Sequence, residues 1–205
     1  MGSLRQRFGR PLRLGVVGGG PDSWIGRMHR SAAELDGWWR VTAGVFSSDP
    51  QRSRAAGPLF GIDAARSYDS VADMLQAEAR RADGIDAVAI MTPNDTHYAY
   101  AAAALDAGLD VVCDKPITET HVQALDLVAR ARRTQRLFAI AHGYSAYPMI
   151  RHARQLVRDG AIGRLMQVQG CFSFFNDDPA NIRNMPGLGG GALRDIGVYP
   201  CVTTR

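Results

Sequence analysis

Short apolar runs alternate with amphipathic segments over the first two thirds of the chain. An apolar run that ends in turn residues predicts a buried strand, and apolar positions three or four apart predict a helix. The predicted strands cover residues 12–17, 41–46, 86–91, 109–113 and 137–141. The predicted helices cover residues 24–35, a segment that begins at 50, residues 68–81, an alanine-rich segment that ends at 107, and residues 118–134. This alternation predicts a parallel sheet with right-handed crossovers and helices on both faces.

The pattern changes after residue 141. A helix is predicted over residues 147–159, and residues 164–175 then alternate between apolar and polar positions. Such alternation is typical of a strand that is buried on one face, as in an antiparallel sheet. Residues 176–190 are rich in Asn, Asp, Pro and Gly and predict a loop, and residues 191–205 predict the opening of a helix. We expect two domains, at 12–143 and 144–205, of which the second is incomplete and C-terminally truncated because one strand cannot form a sheet.

The composition is that of a soluble globular protein, with 46% apolar and 21% charged residues. The net charge of +4 suggests an anionic ligand, but the arginines are scattered, so we expect no nucleic-acid partner. No apolar stretch follows the basic first ten residues, and no run approaches membrane-spanning length, so we expect neither a signal peptide nor a membrane partner. The three cysteines lack metal-ligand spacing. We expect them to be reduced thiols of a cytoplasmic protein without a metal site.

A single lysine lies at the end of a predicted strand, in the stretch Val111-Val112-Cys113-Asp114-Lys115-Pro116. It is the only lysine among the 24 basic residues. An ammonium is compact and changes its pKa readily when desolvated, whereas a guanidinium does not. We infer that position 115 needs one of these properties, and the alternative is that one lysine survived by chance.

A glycine triplet, Gly18-Gly19-Gly20, follows the first predicted strand and precedes a helix. Glycine lets the backbone approach a pyrophosphate, and a helix N-terminus offers it unpaired N–H groups. The gap to Gly26 is longer than a strict dinucleotide fingerprint allows, so a tight turn without a ligand stays open as an alternative. The candidate cofactor contacts at this loop are Gly18, Gly20, Trp24, Ile25 and Gly26.

The end of the second predicted strand indicates which dinucleotide binds. An NAD site usually carries an acidic residue there for the ribose hydroxyls. This chain has Ser47 and Ser48, with Arg52 downstream. Small hydroxyls beside arginine suit a 2′-phosphate, so we expect NADP rather than NAD, although Asp49 is close enough to serve NAD.

Asp195 and Tyr199 are four residues apart, which places them on one face of a helix. A carboxylate and a phenol there are suited to hold a sugar-like hydroxyl and move its proton. Tyrosine needs a nearby cation for acid–base work at neutral pH, and Lys115 is the candidate cation. A surface or capping pair is the alternative, and Pro200 argues against an undisturbed helix.

Four motifs together resemble the glucose–fructose oxidoreductase / inositol dehydrogenase / MocA-like (Gfo/Idh/MocA) oxidoreductase family over residues 12–205. The motifs are the glycine loop with Gly26 and His29, Thr92-Pro93-Asn94 through His97, Cys113-Asp114-Lys115-Pro116, and Gly189-Gly190-Gly191 through Asp195 and position 199. The chain departs from the family in three respects. Tyr199 stands where many members have a His that acts as acid/base, Pro21-Asp22-Ser23 is an insertion in the phosphate loop, and most of the second domain's sheet, which full-length members contain, is absent. Within the third motif, Asp114 stands where Glu is more frequent.

The resemblance implies a Rossmann domain followed by an α/β domain with a large open, mainly antiparallel sheet. It also implies a bound nicotinamide cofactor and hydride transfer to or from a sugar, polyol or related carbonyl. The catalytic residues would be Lys115, Asp195 and Tyr199. Further cofactor contacts would come from Thr92, Pro93, Asn94, His97, Asp114 and Lys115, and substrate contacts from Lys115, Asp195 and Tyr199. By position alone, Tyr144, after the last predicted strand of the sheet, and Arg183, in the loop before the glycine triplet, are further candidate substrate contacts.

Two alternatives remain at this point. One is that the chain is a dinucleotide-binding regulator or an inactive remnant of such an enzyme. The other is that it is an enzyme that uses its cofactor only transiently, as some relatives do. We expect a homo-oligomer where the second domain is complete, because that domain's sheet commonly forms the interface in the family.

Overall fold

The computed structural model describes residues 8–205, in which one five-stranded sheet organises the first two thirds. The strands are β1 Leu12–Gly18, β2 Trp39–Val45, β3 Ala87–Met91, β4 Asp110–Cys113 and β5 Phe138–Ile140. They pair in the order β2-β1-β3-β4-β5, and every pairing is parallel. The predicted α/β fold with a parallel sheet is therefore confirmed.

Five helices connect the strands: α1 Trp24–Glu34, α2 Pro50–Leu59, α3 Val71–Glu78, α4 His97–Asp106 and α5 His121–Thr134. Capping side chains fix where four of them begin. Ser70 caps α3, and Thr120 forms a capping box with Gln123 at the start of α5. The helices predicted from residues 68 and 118 therefore begin later than expected.

Two apolar clusters cover the two faces of the sheet. One contains Val17, Val45, Met74, Ile90 and Leu105, and the other contains Leu14, Val16, Val41, Phe46 and Ala89. All five residues of β3 are buried, because helices cover this central strand on both sides. The burial on both faces explains why β3 is apolar at every position.

The strand order places a topological switch point between β1 and β3. The chain leaves β1 toward β2 on one side and returns to β3 on the other. In open parallel sheets a ligand binds outside the carboxyl ends of the strands at such a point. The loops after Gly18 and after Met91 flank this crevice.

The chain beyond β5 contains helix α6, Pro148–Arg158, and a helical end in which a π-helical turn, Leu193–Gly197, leads into α7, Val198–Thr203. The helix predictions at 147–159 and 191–205 are confirmed. No described residue of α6 is buried. None of the helices within residues 8–205 is long and apolar enough to cross a bilayer.

The strand predicted over residues 164–175 is wrong. The structure gives this segment no strand pairing, and Met166, Phe174 and Phe175 are exposed. A strand requires a neighbour that takes its backbone hydrogen bonds. No segment between residues 8 and 205 provides such a neighbour, so side-chain alternation alone does not produce a strand here.

Candidate active site

The glycine loop after β1 has a backbone conformation that favours glycine. Gly18 and Gly19 have φ angles of +85° and +71°. Gly26, in the first turn of α1, packs directly on the loop, since a Cβ there would lie 2.4 Å from the Cα of Gly19. Ser23 Oγ accepts the backbone N–H of Gly26 at 3.1 Å. The loop thus offers bare backbone and a capped helix start, an arrangement that fits a pyrophosphate.

The other residues predicted at the loop lie around it. Gly20 approaches Phe46, because a Cβ on Gly20 would lie 2.9 Å from the Phe46 carbonyl oxygen. Trp24 is exposed, whereas Ile25 is partly buried against the sheet. Sequence reasoning did not select Arg30, which donates from Nη1 to the Gly19 carbonyl. Its position one turn after Gly26 on the same helix was the available signal.

At the carboxyl end of β2, the carboxylate of Asp49 is committed to capping α2. Its Oδ1 accepts the backbone N–H groups of Gln51 and Arg52 at 2.8 and 3.1 Å. Ser47 Oγ in turn accepts the backbone N–H of Asp49 at 3.1 Å. Ser48 and the Arg52 side chain are exposed. The end of β2 therefore presents the hydroxyl groups of Ser47 and Ser48 and the guanidinium of Arg52, whereas the nearby carboxylate of Asp49 accepts hydrogen bonds from the start of α2.

The loop after β3 is tied to the loop after β4 by His97. His97 is fully buried; its Nδ1 lies 2.7 Å from the Pro116 carbonyl oxygen and its Nε2 lies 2.9 Å from the Thr92 carbonyl oxygen. Thr92 Oγ1 is hydrogen-bonded to Thr96 Oγ1 at 2.6 Å. Both ring nitrogens of His97 are thus occupied by backbone, so His97 reaches the predicted cofactor crevice through the loops it joins rather than through its ring.

Lys115 lies where β4 ends and projects toward the C-terminal part of the chain. Its Nζ donates to Asp195 Oδ1 at 2.7 Å and also to the Asp195 carbonyl oxygen. Both side chains are mostly buried, at 12% and 13% exposure. The Lys115 backbone N–H is bonded to Asp114 Oδ1 at 2.9 Å. The structure therefore brings the lone lysine and the predicted aspartate together.

Arg183 contacts the same carboxylate from the other side. Its Nε lies 3.1 Å from Asp195 Oδ2, and its side chain is 46% exposed. The loop that carries Arg183 is held against the sheet by Asn94, whose Nδ2 donates to the Gly189 carbonyl at 2.9 Å. Arg194 reaches Glu119 Oε1 at 3.5 Å. Asn94 thus contacts the loop before Asp195, a role that its place in a Thr-Pro-Asn motif did not predict.

Tyr199 completes the group and stands in a cluster of aromatic rings. Lys115 Nζ lies 5.1 Å from the centroid of the Tyr199 ring. The rings of Tyr144 and Phe172 each lie 4.7 Å from Tyr199, centroid to centroid. Sequence reasoning missed Phe172 as a site residue, because the alternation at 164–175 placed it on the buried face of a strand. The aromatic cluster forms an apolar wall beside Lys115 and Asp195.

Two histidines lie close to Asp114, and burial lowers the pKa of each. For His29 and His142 the loss of solvation is the main cause, and the Asp114 carboxylate acts in the opposite direction. Lys115 further lowers the pKa of His142. Burial also raises the pKa of Cys113 to about 12, so this thiol stays protonated. At neutral pH the surroundings of Asp114 therefore contain neutral imidazoles and an unreactive thiol.

The parallel sheet, the glycine loop after β1 and the crevice at the switch point together define a dinucleotide-binding protein of the Rossmann class. The sequence model of the oxidoreductase family with an NAD-binding Rossmann fold, Gfo/Idh/MocA, matches residues 12–142, and the model of a Gfo/Idh/MocA C-terminal domain matches residues 150–205. The chain belongs to the Gfo/Idh/MocA oxidoreductase family. The resemblance expected from its motifs is confirmed.

Individual proteins agree with this assignment. The chain is 37% identical to the uncharacterized oxidoreductase YfiI of Bacillus subtilis over 172 residues, which are 82% of this chain and 44% of YfiI. It is 32% identical to a dTDP-3,4-didehydro-2,6-dideoxy-alpha-D-glucose 3-reductase of Streptomyces antibioticus, over 92% of this chain and 54% of the reductase. A crystal structure of an inositol dehydrogenase homolog of Azotobacter vinelandii complexed with NAD+ superposes with a TM-score of 0.88 at 37% identity, covering 95% of this chain and 53% of that one. The chain thus spans about half the length of these relatives.

Proposed function

We propose that this chain carries the cofactor site and the catalytic lysine of an NAD(P)-dependent oxidoreductase. The reaction is hydride transfer between the nicotinamide and a carbon of a sugar, a polyol or a related carbonyl compound. The observation that carries the proposal is the ion pair between Lys115 and Asp195 beside Tyr199. The similarity to oxidoreductases that act on sugars, or are related to inositol dehydrogenase, favours this function over a purely regulatory one.

The cofactor site in this proposal is the switch-point crevice. Backbone N–H groups of the loop Gly18–Gly20 and of the α1 start, which includes Trp24, Ile25 and Gly26, would hold the pyrophosphate. The remaining cofactor contacts would come from Ser47, Ser48, Arg52, Thr92, Pro93, Asn94, His97, Asp114 and Lys115, with His97 acting through the two loops that it joins. When bound, the nicotinamide supplies or accepts the hydride.

The chain's own residues bind the substrate and handle its proton. Lys115 donates a hydrogen bond to the reacting substrate oxygen and favours negative charge on it. Tyr199 exchanges a proton with that oxygen through its hydroxyl group. Asp195 orients Lys115 and a neighbouring substrate hydroxyl. Tyr144 and Arg183, which line the same site, contact the rest of the substrate.

We propose NADP as the preferred cofactor. The carboxylate of Asp49 is already engaged by two backbone N–H groups of α2, which supports a site without an acidic ribose ligand. Ser47, Ser48 and the exposed guanidinium of Arg52 match the hydrogen-bonding needs of a 2′-phosphate.

We further propose a domain boundary at residues 143/144, with residues 144–205 forming the first part of a substrate and oligomerisation domain. In a longer protein, residues 164–175 would enter an open, mainly antiparallel sheet, because their side chains alternate and their backbone lacks strand partners within residues 8–205. A cytoplasmic homo-oligomer is the expected form of such a protein.

The test is substitution of the lysine. In the full-length gene product, Lys115→Met should reduce the rate of hydride transfer by more than tenfold, measured by stopped-flow absorbance of the reduced nicotinamide. Lys115→Arg keeps the charge and serves as the matched variant. A decrease in Lys115→Met of less than tenfold, about 1.4 kcal/mol, would show that Lys115 has no chemical role.

A further inference from the structure

A cavity of about 450 Å³ lies at the amino-terminal edge of the sheet, opposite to the edge that carries Lys115. Its volume is in the range of small-molecule sites. The charged side chains that line it are five arginines and two aspartates, namely Arg10, Arg13, Arg40, Arg66, Arg81, Asp63 and Asp83. We propose that this cavity binds the phosphate group of a small phosphorylated molecule.

The acidic residues of the cavity are already engaged. Asp83 receives two hydrogen bonds from Arg81, at 2.8 and 3.1 Å, and Asp63 caps a short helix by accepting the backbone N–H of Ala65. Arg66 is held by Glu78, through hydrogen bonds from its Nε and Nη2. These ion pairs fix the wall of the cavity, and Arg10 is bonded to Asp86, which leaves two arginine donors whose side chains have no hydrogen bond to a carboxylate of residues 8–205.

Arg13 and Arg40 are those donors. They are register partners on β1 and β2, so their side chains leave the same face of the sheet next to each other. Two like charges in adjacent positions repel, which an anion between them would offset. Arg40 makes no ion pair with any residue that the structure describes.

Asp86 does not satisfy Arg13. The carboxylate of Asp86 is occupied by Arg10, at 2.7 and 2.8 Å, and by the backbone N–H of Arg13 at 2.7 Å. Arg13 Nε lies 3.8 Å from Asp86 Oδ2, close enough for an ion pair but beyond hydrogen-bond distance, and it is buried without a hydrogen-bond partner within the described chain. A buried N–H group without an acceptor is costly.

Thr42 also lines this wall. It lies at the irregularity where the pairing of β1 with β2 shifts from Val41 to Ala43, and its Oγ1 is also buried without a hydrogen bond to residues 8–205. Arg13 and Arg40 bring several N–H donors to this wall, and such a set suits an anion with several acceptor oxygens, such as a phosphate. The cavity is larger than a single phosphate requires, which favours a phosphate ester.

Isothermal titration tests the site, with inorganic phosphate and glucose 6-phosphate as probes at constant ionic strength. The protein is first saturated with reduced cofactor so that the glycine loop is occupied. One equivalent of probe should bind per chain, and Arg40→Met should raise the Kd at least tenfold. Arg158→Met, on the exposed helix α6, is the matched control and should leave the Kd unchanged. Arg40 is exposed, so its variant tests the site without disturbing the core.

The two probes identify the source of the phosphate, because a tighter Kd for the ester indicates a phosphorylated metabolite and equal values indicate free phosphate. The proposal is overturned if neither probe binds saturably, if Arg40→Met binds as well as the wild type, or if Arg158→Met loses as much affinity. It is equally overturned if Arg183→Gln, in the candidate active site, abolishes binding while Arg40→Met does not. These readouts do not depend on the proposed oxidoreductase activity.

Discussion

Lys115 Nζ and Asp195 Oδ1 lie 2.7 Å apart, although 80 positions separate the two residues along the chain. The pair links the end of β4 to the π-helical turn before α7. Both side chains are almost excluded from solvent, whereas Arg183, the second partner of Asp195, is half-exposed. The two ion pairs of one carboxylate therefore differ in energy.

Removing the carboxylate should destabilise the protein more than removing its exposed partner. Asp195→Ala leaves a buried ammonium unpaired and should lower the free energy of unfolding by about 3 kcal/mol. Arg183→Ala breaks a solvent-exposed pair and should cost less than about 1 kcal/mol. Urea unfolding followed by circular dichroism measures both values, and equal losses would contradict the difference in burial.

Gly26→Ala should impair cofactor binding. The new Cβ would lie 2.4 Å from backbone atoms of Gly19, so the loop must move away from α1. We expect the Kd for the reduced cofactor to rise at least tenfold, measured by the quenching of tryptophan fluorescence. Gly187→Ala is the matched control, because a Cβ at Gly187 has no atom within 4 Å among the described residues. An unchanged Kd in Gly26→Ala would exclude the loop as the pyrophosphate site.

Arg52→Ala should shift cofactor preference toward NAD. Loss of the guanidinium removes a charge-assisted bond to the 2′-phosphate, so the Kd for NADPH should rise about tenfold while that for NADH changes little. Arg54 lies two residues further on but is paired with Asp69, with Nε 2.5 Å from Oδ1. Arg54→Ala should therefore leave the ratio of the two Kd values unchanged. A parallel change for both cofactors in Arg52→Ala would argue against NADP selectivity at this position.

The Glu78 carboxylate should be important for stability. It binds Arg66 in a nearly solvent-free site, accepts the Ile85 backbone N–H at 3.1 Å, and accepts the Tyr68 hydroxyl hydrogen at 2.8 Å. Burial, supported by Glu78, raises the pKa of Tyr68 to about 12. Glu78→Gln removes the buried carboxylate partner of Arg66, which keeps only the exposed Asp83 carboxylate at 3.5 Å, and should cost about 3–5 kcal/mol in urea unfolding. Asp83→Asn, at the exposed end of the same network, should cost less than about 1 kcal/mol.

Stability should decrease as the pH falls below neutrality. Burial lowers the pKa of His29 and His142 in the folded protein, so the unfolded chain binds protons first as the pH passes about 6.5. Stability is then lost progressively until the lower, folded pKa is reached. Burial raises the pKa of Asp86, but hydrogen bonds from Arg10 and from the Arg13 backbone outweigh it and lower this pKa overall, which affects stability only at more acidic pH.

Thermal unfolding between pH 7.5 and 5.5 measures the histidine contribution. His29→Gln should flatten the dependence of the melting temperature on pH in this range. His152→Gln, on the exposed helix α6, should have the same slope as the wild type. An unchanged slope in His29→Gln would show that His29 does not contribute.

Local patterns sufficed for the order and type of the first ten elements, because each strand or helix there is specified by its own apolar spacing or by the turn and cap residues beside it. Ser70 and Thr120 set helix starts within a few residues of those expected. The prediction of a strand at 164–175 was wrong because a strand is not specified by its own residues alone. Its hydrogen-bond partners would have to come from a distant part of a sheet.

The sequence by itself determined that Lys115 stands at the end of a parallel strand, and that glycines at 18, 19 and 26 surround a helix start. These features depend on neighbours within a few residues along the chain. Tertiary structure alone decided that Lys115 meets Asp195, that His97 joins two loops rather than facing the crevice, and that Phe172 packs on Tyr199. Each of these contacts joins segments that are distant in sequence. They form only because the sheet brings its strand ends together on one side and the later chain folds back onto them.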